Sequence, residues 1–86
     1  MATTSILGAR LEESRTQADA VANVITLEEM VEAIEIYHEE ANAQVFIVNG
    51  LSINVAAGGW ARLIAGTPST EVTIPAGVDC IVNRLV

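Results

Sequence analysis

The clearest pattern in this chain is "QVFIVNGLSINV", residues 44–55, where two alternating apolar runs flank Asn49-Gly50. Asn-Gly is the dipeptide that tolerates positive φ at both central positions of a type I′ turn, so the stretch predicts a two-residue β-hairpin. The short loop sets the register. Val48 should face Leu51, Phe46 should face Ile53 and Gln44 should face Val55. One side then carries Phe46, Val48, Leu51, Ile53 and Val55, and the other carries Val45, Ile47, Ser52 and Asn54. Gly58-Gly59 breaks the chain, and "WARLIA" reads as a third strand. "GTPST" is a turn, "EVTI" a short fourth strand, Pro75-Ala76-Gly77 another turn, and "VDCIVNRLV" a last strand that runs to Val86. Strands at this spacing, joined by Gly and Pro turns, predict a small antiparallel meander or sandwich.

The preceding segment follows a different period. Thr26 with Glu29 three residues on matches a capping box, and "LEEMVEAIEIYHEEANA" follows. At 100° per residue Leu27, Met30, Val31, Ile34, Tyr37, His38 and Ala41 share one face, and Glu28, Glu29, Glu32, Glu39 and Glu40 share the opposite one. Ile36 is the misfit, an apolar residue in the middle of the acidic side. This predicts an amphipathic helix over 27–43. Residues 1–25 show no clean period; they read as an N-terminal arm with a short helix near Ala9 to Ala22, or as a partly disordered tail. The expected fold class is therefore α+β: an arm over 1–25, then one domain over 26–86 with its helix at 27–43 and its strands within 44–86.

Composition sharpens this into a statement about assembly. A domain of 86 residues buries only about 60–65% of the surface its unfolded chain exposes. Yet 51% of the residues are apolar, and the only aromatics are Phe46, Trp60 and Tyr37. Small and β-branched side chains suit packing of elements against one another better than an aromatic-lined ligand pocket. The charge is sorted. The net of −7 is carried mainly by 26–43, with six glutamates and no base, and there is no lysine. Clustered basic residues for phosphate are absent, so nucleic acid is not an expected direct partner. No apolar run approaches the ~20 residues of a membrane span, and the start lacks a signal-peptide pattern.

Candidate chemistry is thin. Glu35 and His38 form a Glu-x-x-His, which on a helix places both near one face, but a site needs further ligands and no metal is expected. Cys80 reads as a small buried hydrophobe. No nucleophile constellation or phosphate loop occurs, so neither an enzyme nor a cofactor is expected. The acidic helix face is either solvated or a docking surface for a basic partner. Trp60 is either an interface anchor or the large core plug. Arg62 and Arg84 should each reach a carboxylate such as Asp79 or Glu71, here or on a neighbour. In the final strand, Val78, Cys80, Val82, Arg84 and Val86 lie on one side and Asp79, Ile81, Asn83 and Leu85 on the other. This mixed pattern suggests a strand covered on both sides, partly by another chain. The interface candidates are Leu7, Leu11, Trp60, Arg62, Ile81, Arg84, Leu85 and Val86.

From Val45 to Val86, "VAAGGW", "STEVTIPAG" and the closing strand resemble small β modules of tailed-bacteriophage virion proteins, of the capsid-decoration (cement) or head-fibre kind. The resemblance implies a non-enzymatic homo-oligomer, often a trimer, seated on capsid protein in the virion, with no small-molecule, membrane or nucleic-acid partner. The other reading is a small cytoplasmic binding or regulatory module that engages a basic partner through the acidic helix.

Overall fold

The structure, a computed structural model, describes residues 11–86. Its strands are β1 (Leu11–Thr16), β2 (Val24–Leu27), β3 (Val31–His38), β4 (Gln44–Val48), β5 (Leu51–Val55), β6 (Trp60–Thr67), β7 (Thr70–Thr73) and β8 (Cys80–Leu85), with one 3-10 turn at Gln17–Asp19. They form two four-stranded antiparallel sheets. The first has the order β1-β8-β3-β6 and the second the order β2-β7-β4-β5. The protein is an all-β sandwich.

The α+β expectation is overturned at residues 27–43. The segment holds the end of β2, a bend, β3 and a second bend, and Ile36 explains why. As a helix, Ile36 would sit in water among glutamates, and the pairs Glu28/Glu32 and Glu35/Glu39 would repel at i,i+4 with no lysine to offset them. As a strand, Ile34, Ile36 and His38 alternate inward and are buried, while Ala33, Glu35 and Tyr37 alternate outward. Thr26, expected as a helix cap, lies within β2. The arm is corrected as well. Residues from Leu11 onward supply β1 and β2, which are integral strands of the two sheets, and the only helical turn among the described residues is the 3-10 one. Its start is closed by the Thr16 N–H donating to Asp19 Oδ2 at 2.8 Å.

The hairpin has the expected register: Gln44 faces Val55, Phe46 faces Ile53 and Val48 faces Leu51. Asn49 and Gly50 take φ of +48° and +86°, as a type I′ turn requires. The hairpin tip is tied to β7, where Asn49 Oδ1 accepts from the Glu71 N–H at 2.8 Å.

Between the sheets, Ile25, Leu27, Val31, Ile34, Ile36, Phe46, Val48, Val55, Val72, Ile74, Cys80 and Val82 make one apolar core. Phe46, fully buried, is its large plug; Trp60, 57% exposed, is not. His38 links the layers. Its Nε2–H donates to the Val55 carbonyl at 3.1 Å, and its Nδ1 accepts the Glu40 N–H at 3.1 Å.

Arg84 also faces inward, at the opposite end of the sandwich. It lies across from Glu13 and Ile34 in the ladders. Its Nε donates to Glu13 Oε1 at 2.8 Å, its Nη1 to the Met30 carbonyl at 2.9 Å and its Nη2 to Glu29 Oε2 at 3.1 Å. A guanidinium can close a core in this way because its fan of donors satisfies several acceptors at once. Burial would raise the Glu13 carboxyl, but hydrogen bonds and charge from Arg84 and Arg15 outweigh it and hold the pKa below the ordinary value.

Two measurements check this architecture. Ile36→Ala should lower the unfolding free energy in urea by about 2–5 kcal/mol, the range for truncating a core isoleucine; at a solvated helix position it would cost almost nothing. Glu13, with its folded pKa depressed, contributes stability above its ordinary value of 4.5 that is lost as pH falls through the folded value. The urea midpoint should therefore decline on acidification below pH 4.5, less steeply in Glu13→Gln.

Candidate interaction face

The outward residues of the first sheet form three rows that the ladders hold in register. The first row is Leu11, Leu85, Ala33 and Ile64; the second is Ser14, Asn83, Glu35 and Arg62; the third is Thr16, Ile81, Tyr37 and Trp60. Two rows rich in apolar groups thus flank a polar one. Leu11 (58% exposed) and Ile64 (84%) are open at the two ends of the first row, with Leu85 and Ala33 buried between them; in the third row Ile81 (44%) and Trp60 are open on either side of the half-buried Tyr37. Apolar side chains left in water on one face mark a candidate interaction site.

The polar row is closed upon itself at one end. Arg62 Nε donates to Glu35 Oε2 at 3.1 Å, and its Nη2 reaches the same oxygen. The Tyr37 hydroxyl donates to Glu35 Oε1 at 3.4 Å, and the Tyr37 ring stacks on Trp60 with centroids 6.0 Å apart. Burial first, then the Glu35 charge and its hydrogen bond, raise the Tyr37 phenol pKa. Flanking side chains leave Glu35 9% exposed. At the other end of the row, Asn83 Oδ1 is buried and accepts no hydrogen bond.

An open groove of about 970 Å³ borders the third row, between Tyr37, Trp60 and Ile81 and the carboxylates Glu39, Glu40 and Asp79. Among the described residues no three His, Cys, Asp or Glu side chains converge on one point. Glu35 and His38, three apart on a strand, point to opposite sides of the sheet, so their spacing does not form a ligand pair.

Compared with protein-family models, curated proteins and solved structures, the chain matches none.

Of the interface candidates, Leu11, Trp60, Arg62, Ile81 and Leu85 fall on this one face, although Leu85 is buried in it. Arg84 faces the core instead. Its carboxylates are Glu13 and Glu29, and that of Arg62 is Glu35, rather than Asp79 or Glu71. Val86 is half-buried just past β8, and Leu7 lies outside the described residues. The final strand is not open to another chain at its edges, because β1 and β3 occupy both. Tyr37, Glu35 and Ile64 belong to the face and were hidden by the helical reading or by a single apolar residue in a strand. An acidic helix face does not exist: Glu35 is spent on Arg62, Glu29 on Arg84, and Glu39 and Glu40 rim the groove.

Cys80 lies behind the face in the core. Burial, then the Asp79 charge, pushes its thiol up to about 11. A thiol reagent at pH 8 should modify the native protein about 100-fold more slowly than the urea-unfolded chain, since only the thiolate reacts. Equal rates would place the thiol at the surface.

Proposed function

We propose that this protein is a non-enzymatic structural component that seats the outer face of its first sheet on a partner protein, as a capsid-decoration protein of a tailed phage does on its shell. The observation that carries this reading is the set of large apolar side chains left exposed on this face. Its apolar rows place Leu11, Ile64, Ile81 and Trp60 in water, and its charged pair is already neutralised from within. A face built in this way gains by being covered and asks little charge of its partner. Aromatic and arginine side chains are the usual anchors of binding, and Trp60, Tyr37 and Arg62 sit together toward the β6 side of this face.

The resemblance of residues 45–86 to virion β modules supports the virion as the place, with capsid protein as the surface bound. An all-β sandwich suits this role. Its strands are held by their own ladders, so the protein can arrive folded and dock as a rigid body.

Density-gradient fractionation of a lysate containing the protein tests the reading. The wild-type chain should sediment with virus-sized particles. A variant carrying Leu11→Glu and Ile81→Glu, folded by circular dichroism, should stay at the top of the gradient. A wild-type chain that also stays at the top overturns the virion reading, and a variant that still sediments overturns the face.

A further inference from the structure

The free edge of β6 is a second surface, distinct from the outer face. β6 stands at the end of its sheet and, among the described residues, pairs only with β3. It is eight residues long and apolar on both sides, yet none of its residues is buried. Leu63, Ala61 and Ala65 pack against the core only in part, as does Ile53. Around this edge the chain carries almost no charge: residues 41–70 hold Arg62 alone. In a protein of net charge −7, this is the region where two copies can meet without carboxylates facing each other.

The ladder states which groups the edge offers. The His38 N–H donates to the Gly59 carbonyl at 3.3 Å, so that level is a hydrogen-bonded pair. Alternation then turns the Ala61 and Leu63 amides and carbonyls toward β3, and those of Trp60, Arg62 and Ile64 toward the open edge. A partner strand must meet Arg62 and Ile64 with the same two groups. A second β6 does so when it lies antiparallel about a two-fold axis at Leu63. Leu63 then faces Leu63 of the second copy, Arg62 faces its Ile64, and Ala61 faces its Ala65. Side chains keep to their own sides of the sheet in this register. Shifting the axis to Arg62 would set two guanidinium groups opposite each other, which is unfavourable. Beyond Ala65 the flat edge ends, because Ala65 and Gly66 together oppose one residue of β3 and Gly66 takes φ of +58°.

We propose that two copies of this chain pair through β6 about a two-fold axis at Leu63, joining their first sheets into one eight-stranded sheet. The pairing satisfies the open hydrogen-bonding groups of the edge, covers Leu63, Ala61 and Ala65, and sets two outer faces side by side for docking. It goes beyond the docking reading, and its test touches none of the residues altered there. Resemblance to virion modules implies self-association, often as trimers; the self-match of this edge is two-fold instead.

Two measurements on the full chain test it. Under mild oxidation, Leu63→Cys should give a disulfide-linked dimer on a non-reducing gel, because directly opposed non-hydrogen-bonded residues have Cα atoms about 4.5 Å apart, within disulfide reach. Ala61→Cys should not, since its two copies lie about 14 Å apart at roughly 3.4 Å per residue. Cross-linking of neither variant, or of both equally, overturns the proposal. In the wild-type chain, hydrogen exchange at the Arg62 and Ile64 amides should slow at least tenfold between nanomolar and high micromolar protein, while the Leu63 amide stays protected throughout. Exchange at Arg62 and Ile64 that ignores concentration overturns the pairing, as does a native mass of one or three chains at high concentration.

Discussion

The two antiparallel ladders along β3 are the constraint on which the rest of this molecule depends. β3 is paired to β6 on one edge and to β8 on the other, so neither edge can slip without breaking the other register. Because side chains alternate along a strand, one register decides two surfaces at once. Ile34, Ile36 and His38 go to the core, and Ala33, Glu35 and Tyr37 go to the outer face. A one-residue slip would put Glu35 between the sheets and Ile36 in solvent. His38 adds a polar tie to this arrangement, since its bond to the Val55 carbonyl joins β3 to the second sheet at one end of the core.

That double duty is also why β3 was the least legible part of the sequence. Strands with one wet face alternate cleanly, and the hairpin at 44–55 was readable for that reason, down to its register. The later strands were readable from their Gly and Pro boundaries. β3 is occupied on both sides, so apolar residues fall at 31, 33, 34 and 36, and glutamates at 32 and 35 mimic a helical stripe. The residue that resisted the helix was Ile36, and its place among the glutamates was the signal available. The partner of Glu35 was not available, because Arg62 is distant in sequence and meets it only through the β3–β6 ladder. The ending of the chain was half legible. Its apolar content on both sides did mark a central strand, but the neighbours that hold it are β1 and β3 of the same molecule.

Charge is then distributed by what each border of the sandwich must do. Arg84, Glu13 and Glu29 close the end of the core where β1 meets β8, with Arg15 beside Glu13. That border is charged and suited to water, and a charged edge strand discourages pairing with other chains. The opposite border, made by β5 and β6, has only Arg62. An isolated strand edge without charge is a hazard in a monomer, and bulging at Ala65-Gly66 shortens the hazard without removing it.

The polar row across the outer face follows from the same logic. A face made only of Leu11, Ile64, Ile81 and Trp60 would be sticky in any orientation, because apolar contact is non-directional. Glu35, Arg62 and Tyr37 interrupt it, and they satisfy one another before any partner arrives, so covering them leaves no buried charge unpaired. Asn83 is the exception in the row. Its buried carbonyl oxygen lacks a donor, and a buried acceptor left unpaired costs about 1–3 kcal/mol. That oxygen is closed off from solvent, so the cost is carried within the fold itself, and it is the pairing of Glu35 with Arg62 and Tyr37 that keeps the row between the two apolar ones polar without leaving a charge alone.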